Sequence, residues 1–206
     1  MNHLLLIFAK TPTKGQVKTR LAEHIGKTKA LWVYKQLIQK TAAETEKFRG
    51  CKVVFYAGSP THSDSFFDDY TKKIQSGSDL GERMAAGFNW GFSQGFTKIV
   101  AIGTDLWDLE LELLENAFKL LGSHEVVIGP ANDGGYYLIG MNRMIPQVFK
   151  EKKWGSNSVA SDTLKDLHTY RVGLLTEKND IDDYQDLLNC KSLFSLYKTQ
   201  FYESEN

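Results

Sequence analysis

Short apolar runs alternate with longer stretches of helical periodicity along nearly the whole chain, and this alternation restricts the fold more than any other feature. Residues 4–9, 52–57, 98–103, 126–129, 136–140 and 170–175 are short and rich in β-branched or aromatic side chains. Gly, Pro or polar residues bound them, which predicts strands. Between them, residues 29–48 place Ala30, Tyr34, Leu37, Ile38, Thr41 and Ala42 on one helical stripe. Residues 82–91, 111–121 and 157–167 carry similar stripes, and a short helix is expected over 183–188. Strands separated by helices predict an α/β fold: a three-layer α/β/α sandwich on a mainly parallel mixed sheet. One domain is expected over residues 1–190, followed over 191–206 by a helix with Leu193, Phe194 and Tyr197 on its buried side and then a frayed tail.

Charge narrows the partners. Basic and acidic residues number 25 each, so the chain lacks the cationic surplus of a general nucleic-acid or membrane-surface binder. No run approaches the roughly 20 apolar residues that span a bilayer. No secretory signal is visible, and Cys51 and Cys190 lack metal-ligand spacing, so a cytoplasmic protein is expected. Against a neutral background, a local cluster of cations is informative.

Such a cluster follows the first strand, in FAKTPTKGQVKTRLA, where Lys10, Lys14, Lys18 and Arg20 crowd together and Lys27 stands just beyond. A P-loop requires a glycine directly before its lysine, and here Val17 precedes Lys18. Gly15 is the only glycine of the loop, which also excludes a dinucleotide-binding fingerprint. The loop thus offers long cationic side chains rather than a glycine-lined nest. Lys10, Lys18 and Arg20 are candidates to neutralise phosphate oxygens, arginine bidentately; a solvated basic turn is the alternative.

Ligands of open α/β sheets bind beyond the carboxyl ends of strands, so the residues after the other strands carry equal interest. In IGTDLWDLE, Asp105 stands where a sheet enzyme holds Mg²⁺ or Mn²⁺, hard cations that prefer oxygen. Asp108 is better placed to cap the helix that begins nearby. GPANDGGYYLIG reads equally as a tight turn or as a site with close ligand approach. In KNDIDDYQDL, Asp180, Asp182 and Asp183 crowd together; one is expected to cap the following helix, and another would complete a metal site with Asp105.

Taken in order, FAKTPTKGQVKTRLA, DLGERMAAGF, GTDLWDL, GPANDGGYYLIG, WGSNSV and DIDDYQDL resemble the motifs of a bacterial family of small GT-A-like transferases. Its members are described as nucleotide-diphospho-sugar transferase or glycosyltransferase superfamily proteins. The wider superfamily it looks like includes sugar-phosphate nucleotidyltransferases, molybdenum-cofactor guanylyl- and cytidylyltransferases and phospholactate guanylyltransferase. The resemblance implies a GT-A-like fold and a Mg²⁺ or Mn²⁺ cofactor held by Asp105 and Asp182. It implies a triphosphate loop formed by Gly15, Lys18 and Arg20, with Lys10 beside it, and catalysis by Lys18, Arg20 and Asp105. Asp79, Gly81 and Arg83 would lie where the nucleotide base is read. Asp133, Gly134, Gly135 and Tyr136, with Trp154, would hold the acceptor or sugar. Two departures stand out: Trp107 replaces the family's usual proline, and Asn157 its usual Thr or Ser. A bulky Trp107 would reshape the site.

The same apparatus serves two transfers. In nucleotidyl transfer a small phosphorylated acceptor attacks a nucleoside triphosphate and pyrophosphate leaves. In glycosyl transfer a sugar leaves a nucleotide-diphospho-sugar donor, and an inverting enzyme also needs a base, for which Asp133 is the candidate. The basic loop favours nucleotidyl transfer, because a triphosphate carries more charge to cancel. A non-catalytic nucleotide sensor on the same fold is the reading from another class. Oligomeric state is not legible in the sequence.

Overall fold

The computed structural model describes residues 2–59 and 66–202. The strands are β1 (His3–Lys10), β2 (Cys51–Ala57), β3 (Thr71–Ile74), β4 (Lys98–Ile102), β5 (Val126–Pro130), β6 (Tyr136–Met141) and β7 (Val172–Leu174). The helices are α1 (Thr19–Ile25), α2 (Lys27–Glu46), α3 (Leu80–Ser93), α4 (Leu111–Leu120), α5 (Val159–Asp166), α6 (Tyr184–Asn189) and α7 (Lys191–Tyr202), with a 3₁₀ turn over Pro146–Phe149. The strands form one sheet in the order β3-β2-β1-β4-β6-β5-β7. Strand β6 runs antiparallel to β4 and β5, and the other pairs are parallel. This is the expected mainly parallel mixed sheet.

The two-residue period of β1 creates the layers. Leu5, Ile7 and Ala9 share a buried cluster with Tyr34 and Ile38 of α2 and with Leu114 and Phe118 of α4. Leu4 and Leu6 face the other way, into a cluster with Met84 and Phe88 of α3. Both faces of a central parallel strand are covered, so it reads as a continuous apolar run rather than an alternating one. Leu4, Leu5, Leu6 and Ile7 are fully buried, each contributing about 1.5–3 kcal/mol of transfer free energy. A third cluster joins Leu21 of α1 and Val33 and Leu37 of α2 to Leu187, Leu193 and Tyr197 of the last two helices.

Several expectations shift. Helix α2 begins at Lys27, and α1 was not expected at all. Only Leu21 of α1 is buried, too little apolar periodicity to announce a helix, and Gly26 at φ 81° separates the two helices. Strand β3, with the sequence TKKI, lies at the sheet edge with β2 as its one neighbour, so it needs no apolar face. The last strand shrinks to three residues. Asp108 does not cap α4: the cap position is Glu110, without a side-chain cap bond, and Asp108 is exposed. The chain makes a turn through Trp107 and Asp108 first, which the spacing could not reveal. The expected C-terminal helix forms as α7, while the expected tail over 203–206 lies outside the described residues. Among the described residues no helix is long and apolar enough to cross a membrane.

Candidate functional site

Lys18 is the anchor of the site. Its backbone is left-handed (φ 47°, ψ 50°), a region non-glycine residues seldom adopt and that costs about 1–2 kcal/mol. The bend turns its side chain inward, where only 4% of it is exposed. There Nζ lies 2.5 Å from Asp105 Oδ1 and 2.9 Å from Asp182 Oδ1. Two charge-assisted bonds hold the side chain there and offset the backbone cost. Burial opposes the charge on Lys18, but Asp105 and Asp182 together raise its pKa well above the ordinary lysine value. Burial likewise opposes ionisation of Asp182, yet Lys18, Arg20 and Lys10 hold its pKa below the usual carboxylate range.

Local structure brings these groups together. Asp105 leaves the carboxyl end of β4, and its carbonyl accepts from Ile181 N at 3.0 Å. An antiparallel bridge between Leu106 and Asp180 carries the late acidic loop to the same place. Asp183 then caps α6, accepting from Gln185 N and Asp186 N, while Asp186 accepts from the main chain of Asp183. One of the three aspartates is thus a cap, as expected, while Asp182 turns to Lys18. Arg20 reaches Asp183 at 3.3 Å and is 67% exposed, a contact worth about 1 kcal/mol at most. Such a weak bond leaves the guanidinium free to turn to a phosphate.

Lys10, Lys18, Arg20, Asp105 and Asp182 line one cavity of about 180 Å³. Lys10, Tyr34 and Asp105 also line a second, of about 320 Å³, that runs across the carboxyl ends of β1 and β4 to Tyr136. The helical stripe marks Tyr34 as a core residue and carries no other signal. It is also a brace. Its hydroxyl accepts from Lys10 N at 2.8 Å, donates to Lys10 O at 3.0 Å and lies 3.3 Å from Thr104 Oγ1. Burial, then the Asp105 charge, pushes its pKa up to about 12, so it stays neutral.

Asp180, one of the three clustered acids, is distinct from the other two. It lines the larger cavity, and burial, followed by the charge of Asp105, raises its pKa to about 7.

Other expected site residues divide. Arg83 lines the larger cavity, but Asp79 caps α3 by accepting from Glu82 N. Gly81 packs against Trp154: a Cβ there would come within 2.6 Å of the indole nitrogen. Tyr136 lines the cavity, and its buried hydroxyl has no hydrogen-bond partner among the described residues. Trp154 stands edge-on to the Tyr136 ring, at 6.4 Å. Asp133 is exposed and accepts from Gly135 N at 2.8 Å, which makes the Asp133–Gly134–Gly135 stretch a turn. Gly134 has φ +86°, and a Cβ on it would stand 2.0 Å from Asn157 O. Gly15 sits in the turn before α1, against the aliphatic part of Lys27, and does not line either cavity among the described residues. Trp107 faces away from the site: its indole donates to Ser192 Oγ at 2.9 Å and its ring packs with the α1, α2 and α7 cluster.

Asp105 and Asp182 suit a hard divalent cation. They are carboxylates already converging on a positive charge, and Mg²⁺ is commonly held by one or two carboxylates with phosphate oxygens completing its shell. Among the described residues no group of three or more His, Cys, Asp or Glu side chains is arranged to hold a metal without such help.

Residues 41–156 match the family described as uncharacterized proteins conserved in bacteria, DUF2064, over more than half of the chain. The chain belongs to this family. The matched stretch of this DUF2064 chain includes Asp105 but neither Lys18 nor Asp182. A candidate nucleotide-diphospho-sugar transferase from Desulfovibrio desulfuricans G20 is similar at 28% identity with a TM-score of 0.84, covering 95% of this chain and 98% of that one. A cytidylyltransferase from Leptospira borgpetersenii matches at 12% identity and a TM-score of 0.57, over 95% of this chain and 87% of that one. CMP:2-keto-3-deoxy-manno-octonic acid synthetase, solved with CTP, matches at 9% identity and a TM-score of 0.59, over 94% and 98%. The two distant likenesses show a shared α/β fold alone. No curated protein matches the chain.

Proposed function

We propose that the protein is a metal-dependent transferase that moves a nucleotidyl group from a nucleoside triphosphate to a small phosphorylated acceptor. One observation carries this reading: Lys10, Lys18 and Arg20 converge with the Asp105–Asp182 pair on one small cavity that adjoins a larger one. Three cations at one end of a cleft match a triphosphate, and the larger volume accommodates the rest of the nucleotide and the acceptor.

Mg²⁺ or Mn²⁺, held by Asp105 and Asp182, would supply charge neutralisation at the phosphates. The chain's own cations do the remainder. An acceptor phosphate oxygen forms a bond to the α-phosphorus as the bond from that phosphorus to the bridging oxygen breaks. The electron pair leaves on pyrophosphate, whose charge Lys18 and Arg20 neutralise. A phosphate monoester is largely ionised near neutral pH, so this attack needs no protein base. Catalysis is then positioning and electrostatics.

Glycosyl transfer is the second reading, and one observation favours it. A hydroxyl acceptor needs a base; Asp133, the earlier candidate, is tied into its turn, but Asp180 faces the larger cavity with a pKa of about 7. The unpaired Cys51 and Cys190 support the cytoplasmic placement expected from the sequence.

The deciding experiment incubates purified protein and Mg²⁺ with each nucleoside triphosphate and pooled sugar phosphates. Pyrophosphate release dependent on an acceptor supports nucleotidyl transfer. Release of nucleoside diphosphate from a nucleotide sugar, without pyrophosphate from any triphosphate, overturns it. A sensor would bind nucleotide and turn over neither.

A further inference from the structure

Gln75, just past β3, also lines the larger cavity. The main-chain N–H of Gln75 donates to Tyr56 O at 2.9 Å, which fixes the residue to the end of β2. Its side-chain Nε2 donates to Phe55 O at 2.9 Å and to Ala9 O at 3.2 Å. Two carbonyls therefore claim both hydrogens of one amide nitrogen. Only the nitrogen can face two carbonyls, so the amide orientation is set by chemistry. Oε1 is left as an acceptor without a hydrogen-bond partner among the described residues, on a side chain that lines the cavity.

Arg83 lies on the same cavity wall. Its Nε donates to Gly77 O at 3.1 Å, which holds the guanidinium near the segment that carries Gln75. Among the described residues no carboxylate pairs with it within 4.0 Å, so its remaining N–H groups are available as donors. Phe8, Leu80 and Met84 supply apolar surface beside them. A fixed acceptor, a fork of donors and an apolar wall together fit the edge and face of a nucleobase that bears both an N–H and a ring carbonyl. Guanine, cytosine and uracil bear both; adenine has no carbonyl.

We infer that Gln75 is the base-reading residue: its Oε1 accepts an N–H of the base edge while Arg83 donates to a ring carbonyl, so adenine is rejected. This rests on the nucleotide reading above. Lys10, Tyr34 and Asp105 line both cavities, so a nucleotide with its phosphates among the cations has a continuous path to Gln75. A site built to hydrogen-bond a substrate rejects an analogue that lacks the group, because its own polar atoms are left unpaired.

The test is equilibrium binding of ATP, GTP, CTP and UTP, with Mg²⁺, to the wild type and to Gln75→Leu and Arg83→Leu. The wild type is expected to bind at least one of GTP, CTP and UTP about tenfold or more tighter than ATP. Either substitution is expected to erase most of that preference while leaving the affinity for inorganic pyrophosphate within about twofold. Because Gln75 also ties β1 to β2, a second measurement uses wild-type protein alone: methylating the ring or exocyclic nitrogen of the preferred base should weaken binding at least about tenfold. ATP binding as tight as the others, or tolerance of the methylated base, overturns the assignment of Gln75 with nucleotide binding intact. Failure of every nucleotide and nucleotide sugar to bind overturns the nucleotide reading itself, and this inference with it.

Discussion

Lys18 and Asp182 are 164 residues apart in the chain and 2.9 Å apart in space. The same ammonium touches Asp105, so one buried cation occupies the position between the two carboxylates that suit a divalent metal. Lys18 was expected to hold phosphate. Its position makes it first the neutraliser of the carboxylate pair, and a metal entering between them must compete with it.

Replacing Lys18 by Met removes that competitor and leaves two carboxylates unneutralised. Losing one partner of a fully buried pair costs about 3–5 kcal/mol, but Asp105 and Asp182 are 43% and 41% exposed, so about 1–3 kcal/mol is expected here. Mn²⁺ titrated without nucleotide should bind about tenfold tighter to the variant than to wild type and recover most of the lost stability, while pyrophosphate binds more weakly. Denaturant unfolding with and without Mn²⁺ measures both; a variant that Mn²⁺ does not rescue would place the metal elsewhere.

Asp180 titrates against the fold. Its folded pKa, about 7, lies above the ordinary carboxylate value of 3.8. As pH rises from about 4 to 7 the unfolded chain releases this proton first, so stability falls across that window and the penalty is complete above it. Asp180→Asn removes the penalty. In the absence of divalent cation, its stability relative to wild type should rise between pH 4 and 7 by up to about 4 kcal/mol, then level off. Urea unfolding at pH 4.5, 6 and 8 reads the trend; a constant difference across the series would exclude it.

Tyr34→Phe tests the brace behind Lys10. The hydroxyl serves both the N–H and the carbonyl of Lys10, and its loss should destabilise the protein by about 1–3 kcal/mol. If Tyr34 holds the phosphate end in place, pyrophosphate affinity should also fall several-fold, which calorimetry would detect. Unchanged affinity at lowered stability would leave Tyr34 a core residue.

Gly134→Ala addresses the turn between β5 and β6. A methyl group there would stand 2.0 Å from Asn157 O on a backbone of φ +86°, so the variant should lose about 3 kcal/mol or more. Thermal unfolding checks this directly. A melting temperature within a degree or two of wild type would mean that residues 155–158 yield easily.

The layered α/β fold was legible because core strands and helix stripes carry their burial in local periodicity. Residues 4–9 and the stripe from Ala30 to Ala42 needed no partner to be read. The cation cluster and Asp105 were legible for a similar reason: each stands directly behind an apolar run. What local pattern could not carry is long-range pairing and direction. The charged edge strand β3 has no apolar face to announce it, and a single buried leucine does not mark α1. Gly81 and Asp79 sit in a motif whose sequence marked them for binding, yet one packs on Trp154 and the other caps a helix. Trp107 turned outward because Ser192 and the C-terminal helices were there to receive it. Sequence alone determined which cationic and acidic side chains stand directly behind the strands. The tertiary structure decided which of them meet, because the Leu106–Asp180 bridge and the left-handed bend at Lys18 join carboxylates and ammonium from opposite ends of the chain.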